Sequence, residues 1–158
     1  MKVAVIGATG FVGAQILKEL TDRQHEVKAF ARDITKVPAL ATVEAIAMDV
    51  NDTDTLASNL QDIDVVVSAY NAGWINPNIY TDFIKGAKAI EAAVEKAGVK
   101  RLIVIGGAGS LQATADIQIV DTPEFPAAIK PGALAARDYL NILKENTVLD
   151  WTFFSPAP

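Results

Sequence analysis

Val3-Ala4-Val5-Ile6-Gly7-Ala8-Thr9-Gly10-Phe11-Val12-Gly13 is the stretch that decides the fold. Four apolar residues stop at a glycine, and from Phe11 to Arg23 the residues Ile16, Leu17 and Leu20 recur at helical spacing. The order is that of a short buried strand turning sharply into an amphipathic helix. Gly7 permits the exit from the strand, Gly10 leaves the backbone bare to a large anion, and Gly13 lets the helix pack tightly on the sheet. The free N–H groups of the first helical turn, over Thr9, Phe11 and Val12, then face a pyrophosphate. A plain tight strand-to-helix turn is the other use of such glycines, but three at this spacing leave little side chain for any other purpose.

Outward from the turn, apolar runs bounded by turn residues alternate with segments of helical period, the pattern of βαβ units and a parallel sheet. The strands are read at Val3–Ile6, Glu26–Phe30, Val43–Met48, Asp64–Ala69, Lys100–Ile105 and Asp150–Phe154. Several are almost continuously apolar, as strands covered on both faces should be. Helices are read at Phe11–Arg23, Thr53–Leu60, Ile79–Ala97 and Ala133–Glu145, with Asp52 or Thr53 and Thr81 as caps. The fold expected is α/β, a doubly wound Rossmann-type parallel sheet of strand order 3-2-1-4-5-6 in three αβα layers, with ligand at the carboxyl edge.

In such a sheet the end of strand two separates the two nicotinamide cofactors, because a carboxylate there accepts from the ribose 2′-hydroxyl and an arginine accommodates the 2′-phosphate. Here the strand ends in Arg32, with Asp33 following. A guanidinium pairs with phosphate oxygens as a fork, so Arg32, with Lys36 as a second cation, argues for NADP(H) over NAD(H). A solvated surface arginine is the alternative. Asp49 and Val50 close strand three, where the acid either accepts from an adenine amino group or ties a turn. After strand four, Ala69, Tyr70 and Asn71 bring small and polar groups beside the nicotinamide ribose, while Trp74 serves the site or simple packing. The long irregular stretch from Gly106 to Pro131 leaves the carboxyl end of strand five and is assigned to the pocket wall, a variable surface excursion being the other reading.

The chain has 158 residues, 51% of them hydrophobic, with a mean hydropathy of +0.25, so one folded domain with a well-buried core is expected. No apolar run approaches the roughly 18 residues of a membrane span, and no export signal is visible, so neither a membrane nor an exported location is expected. There are no cysteines, which rules out disulfides and thiolate chemistry and points to the cytoplasm. A net charge of −5 with singly scattered Lys and Arg gives no basic face, and nucleic acid is not expected as a partner. His25, the single histidine, stands in the turn before strand two with no partners for a triad or a metal site, so no metal is expected.

The chain resembles the atypical short-chain dehydrogenase/reductase superfamily, in particular its NAD(P)H-binding group of flavin reductase-like, epimerase-like and NmrA-like proteins. The resemblance rests on the glycine turn, Arg32, Asp49-Val50, Ser68-Ala69-Tyr70-Asn71, Val104-Ile105-Gly106-Gly107-Ala108-Gly109-Ser110-Leu111 and Trp151-Thr152-Phe153-Phe154-Ser155-Pro156. It adds Gly106 and Gly107 to the cofactor site. It also raises the Tyr-x-x-x-Lys pair by which typical members donate a proton. That pair is missing: Tyr80 and Lys85, like Tyr139 and Lys144, are five apart, so each lysine lies about 140° past a full turn from its tyrosine. If the helix after Pro131 holds the usual place, Lys130 and Leu134 stand where the pair is expected.

No catalytic residue is thereby fixed. Asn71 and Ser110 are weak candidates, a turn or capping hydroxyl being the favoured reading of Ser110. The resemblance implies an NADPH-dependent reductase passing hydride to a flavin- or quinone-like small molecule, a reaction in which position does most of the protein's work. A redox-inactive NADP(H) sensor is the alternative, and a nucleotide-sugar epimerase, which needs the acid–base pair, is a lesser one. Chains of this group continue past the Ser155-Pro156 segment, so a further substrate-side segment is expected to be lacking here. A surface helix could pair two copies into a homodimer.

Overall fold

The computed structural model describes residues 1–157 and contains six strands and four α-helices. In chain order they are β1 (Lys2–Ile6), α1 (Phe11–Asp22), β2 (Glu26–Ala31), β3 (Val43–Ala47), α2 (Thr53–Asn59), β4 (Val65–Ser68), α3 (Ile79–Lys96), β5 (Arg101–Ile105), α4 (Lys130–Leu143) and β6 (Asp150–Phe154). All strand pairs are parallel, and the order is β3-β2-β1-β4-β5-β6. Ile6 stands level with Phe30 on one side and Ser68 on the other, so the central strands end together and their carboxyl edge forms one rim.

Side-chain alternation along β1 sets the layers. Val3 and Val5 pack with Leu17 of α1 and with Val27 and Ala29 of β2. Ala4 and Ile6 point the other way, into the larger core of Leu56 and Leu60, Phe83 and Ile90, and Tyr139 and Leu143, carried by α2, α3 and α4 and their ends. Each fully buried Leu, Ile or Phe of this kind contributes about 1.5–3 kcal/mol. The sheet therefore lies between α1 on one face and three helices on the other.

Three expectations change at this level. Helix α4 begins at Lys130 rather than Ala133, because Pro131 sits in its first turn, where the missing N–H costs nothing. Thr81 is not a cap: α3 starts at Ile79 after Asn78, and Asn76 organises the turn by accepting from Asn78 N at 2.9 Å and donating to Asp82 Oδ2 at 2.8 Å. Asp52 does cap α2, accepting from Thr55 N at 3.1 Å. The stretch after β5 is less irregular than expected, with 3-10 turns at Ala108–Ser110 and Ile119–Asp121.

Candidate functional site

The site begins at the turn after β1. Gly7 has φ +80°, in the left-handed region, and an added Cβ would lie 2.6 Å from Ala69 O. Gly13 touches the same turn: a Cβ there would come 2.9 Å from the carbonyl carbon of Gly7 and 3.2 Å from Ala8 Cα. Only glycine at both positions lets α1 start against the rim. Gly10 is the N-cap of α1 and offers no side chain to the first-turn amides; Ala14 N donates to Gly10 O at 2.9 Å. The first-turn amides of Phe11, Val12 and Gly13 are left for an anion, which the helix dipole also favours. A pyrophosphate fits this bare, amide-lined cradle.

Two cavities open on the rim. The first, of about 390 Å³, is lined by Gly7, Thr9 and Gly10 of the turn, by Arg32 after β2, and by Asp49 and Val50 after β3. Ala69, Tyr70 and Asn71 after β4 close it. The second, of about 520 Å³, lies beyond β4 under the long loop, with Gly106 and Gly107 in its wall. Tyr70 and Asn71 line both, so the two cavities meet at the carboxyl end of β4, beside the point between β1 and β4 where the strand order reverses. Phe11, Val12 and Gly13 form the first turn of α1 beside the first cavity and line neither, and Phe11 is 92% exposed.

The first cavity carries two cations. Arg32 is one. Lys85 of α3 is the other, while Lys36, held in a 3-10 turn at Ile34–Lys36, does not line it. Asp33 takes no part either: its carboxylate accepts from Thr35 N at 3.0 Å and from the Thr35 hydroxyl at 2.6 Å. Lys85 escaped the sequence reading because only the packing of α3 brings it to this rim; its one local signal is Asp82, one turn earlier and also in the wall. Asp49 ties a turn, accepting at Oδ1 from Asn51 N at 2.9 Å and from Asn51 Nδ2 at 2.8 Å. Those two bonds hold its carboxyl below the usual range against the opposing effect of burial, with smaller help from Lys85 and then Arg32. It stays an acceptor at neutral pH.

Tyr70 is stacked on Phe83 with ring centroids 5.8 Å apart, and its hydroxyl donates to Asp82 O at 3.1 Å. Burial, then Asp82 and Asp49, push its phenol up, so it stays protonated. Asn71 Oδ1 accepts from Gly73 N at 2.7 Å, which fixes the side chain at the junction. Ser110 lines neither cavity; its hydroxyl lies 3.0 Å from Gly107 O and 2.7 Å from Ser155 Oγ.

The other two tyrosines are committed elsewhere. Tyr80 donates to Asp138 Oδ2 at 2.7 Å, and Tyr139, 1% exposed in the core, donates to Glu91 Oε2 at 3.1 Å. Burial, then the Glu91 charge, push the Tyr139 phenol far up. Neither lines a cavity described here. His25 sits near the N-terminus, its Nδ1 3.5 Å from the Met1 ammonium, at the far end of the strands.

The second cavity is walled by Trp74, Phe83, Ile105, Ile119, Phe125 and Ile129, with Thr122 and Glu124 at the loop. Arg137 of α4 pins that loop by donating from Nη1 to Gln118 Oε1 at 3.0 Å and to Asp121 Oδ2 at 3.1 Å. No helix among the described residues is long and apolar enough to cross a membrane.

The chain is similar in sequence and fold to known proteins. A family model described as NAD(P)H-binding matches residues 7–158. A solved structure from Burkholderia pseudomallei, provisionally named an exported protein, is 42% identical and covers 99% of this chain and 72% of its own, with a TM-score of 0.83. A protein of Bacteroides thetaiotaomicron, provisionally named an epimerase, is 38% identical over 99% of this chain and 70% of its own, with a TM-score of 0.90. A protein of Streptococcus pneumoniae, provisionally named an NADH-flavin reductase, is 34% identical over 99% of this chain and 71% of its own, with a TM-score of 0.82.

Proposed function

This chain belongs to the NAD(P)H-binding family, and we propose that within it the protein is an NADPH-dependent reductase that passes hydride to a flat acceptor of flavin or quinone type. The observation that carries this reading is the meeting of two unlike cavities at Tyr70 and Asn71. One is polar and begins at an anion cradle. The other is walled by aromatic and aliphatic side chains, as a planar acceptor requires.

The residues divide the work. Amides of the glycine turn hold the pyrophosphate, Arg32 pairs with the 2′-phosphate, and Asp49 is the acceptor for the adenine amino group. Bound NADPH supplies the hydride; the chain positions it at the junction, where Asn71 and the walls of the second cavity hold the acceptor and keep water out. Arg32 at the end of β2, with Asp33 turned onto Thr35, favours NADP(H); NAD(H) is the weaker ligand.

The missing Tyr-x-x-x-Lys motif favours one other reading, a redox-inactive NADP(H) sensor. It also counts against the epimerase chemistry in the Bacteroides protein's name, which requires an acid–base couple. A small-molecule acceptor is the partner we propose, with pairing into a homodimer compatible with it, and neither nucleic acid nor membrane enters. The cytoplasm is the proposed location on the absence of cysteine, and cell fractionation tests it against the exported name of the Burkholderia relative.

The deciding experiment follows NADPH absorbance during incubation with a panel of flavins and quinones. Steady oxidation with one of them is expected. Tight NADPH binding without oxidation across the panel would establish the sensor instead.

A further inference from the structure

We infer that the acceptor is an uncharged, flat molecule, a quinone or a flavin without its phosphate, and that phosphorylated flavins are discriminated against. This rests on the reading of the second cavity as the acceptor site. The ground for it is how charge is divided between the two cavities. Arg32, to which the 2′-phosphate is assigned, and the second cation Lys85 both line the first. Among the described residues lining the second there is no Lys or Arg, and one charged side chain, the carboxylate of Glu124.

The cations nearest in sequence do not alter this. Arg137 is spent on Gln118, Asp121 and Asp138, and its side chain is 19% exposed. Lys130, at the start of α4, lies outside the lining. A phosphate monoester brings close to two negative charges at neutral pH. Seated with its ring among Trp74, Phe125 and Ile129, it meets the Glu124 carboxylate and no cation, and is repelled across a partly apolar medium. A quinone, or riboflavin without its phosphate, has no such cost. In the reaction the acceptor takes a hydride, two electrons and one proton, from the reduced nicotinamide, which leaves oxidised. The hydroquinone anion so formed takes its second proton from solvent as it leaves the cavity.

The test compares kcat/KM for menadione, riboflavin and FMN at saturating NADPH. Riboflavin is expected to exceed FMN by roughly tenfold at low salt, with the gap narrowing as ionic strength rises. E124K, at an exposed position, is expected to close much of the gap, and E124Q part of it. FMN turned over as well as riboflavin, or a gap that E124K and E124Q leave untouched, would overturn the inference while leaving the reductase reading in place. If NADPH binds and no acceptor is reduced, the reductase reading fails. Flavin fluorescence on the NADPH-loaded protein then decides the inference: quenching of riboflavin but not FMN upholds it, and equal quenching or none of either refutes it.

Discussion

Replacing Gly13 with alanine sets two opposing tendencies against each other. In a helix interior, alanine is favoured over glycine by roughly 1 kcal/mol, so propensity alone makes Gly13→Ala the more stable protein. The structure says otherwise. The new Cβ would lie 2.9 Å from Gly7 C, nearer still to Gly7 O, and 3.2 Å from Ala8 Cα. All three atoms are backbone of the turn, so none can swing aside, and either α1 backs away or the turn opens. Overpacking of this kind costs about 1–3 kcal/mol, and backbone contacts place it toward the upper end, leaving a net loss of roughly 1–2 kcal/mol. In a domain of this size that lowers Tm by roughly 2–8 °C. Because the displaced amides are those of the anion cradle, NADPH affinity should fall roughly tenfold or more as well. Scanning calorimetry and NADPH titration measure the two effects. A variant as stable as the parent, with unchanged NADPH affinity, would refute the claim that close approach at Gly13 shapes the site.

Arg32→Ala should weaken NADPH binding by about 10–100-fold, the worth of a charge-assisted contact, and leave NADH binding unchanged, as competitive titration would show. Arg137→Met strips the loop of its ties to Gln118 and Asp121; a stability loss of about 1–2 kcal/mol and faster proteolysis between residues 112 and 126 are expected, with NADPH affinity intact. Asp33 and Asp49 are held below the usual carboxylate range, Asp33 by the hydroxyl and then the amide of Thr35, Asp49 by the amide of Asn51. A lowered folded value means that their stabilisation is present above the unfolded value of about 3.9 and is lost as pH falls through the folded one. Urea midpoints should therefore drop in that acid window, and the drop should shrink in a protein carrying both Asp33→Asn and Asp49→Asn.

Most of the fold is legible because local pattern and global architecture agree in this chain. The boundaries of β6 are those its sequence predicts, and β1, β2 and β5 differ by a residue; β1, covered on both faces, writes itself as a Val/Ile/Ala block, while β6 at the sheet edge is half exposed. The glycine turn is legible for the same reason: its geometry is local, and φ at Gly7 and the approach at Gly13 follow from the strand-to-helix step itself. What escapes depends on distant packing. Lys85 reaches the cavity through the seating of α3, and Lys36 leaves it through a 3-10 turn that Asp33 and Thr35 fix. The order in the long loop likewise comes from Gly109 meeting Val120 and from Arg137 reaching back from α4, contacts no window of sequence displays.

On the proposed reading, NADP(H) lies along the glycine turn with its 2′-phosphate on Arg32. Calorimetric titration of the protein with NADPH and with NADH, alongside Gly10→Val, tests it most directly. NADPH is expected to bind more tightly than NADH, and Gly10→Val, folded by circular dichroism, is expected to bind neither. Binding that survives Gly10→Val, or a parent protein that prefers NADH, would contradict it.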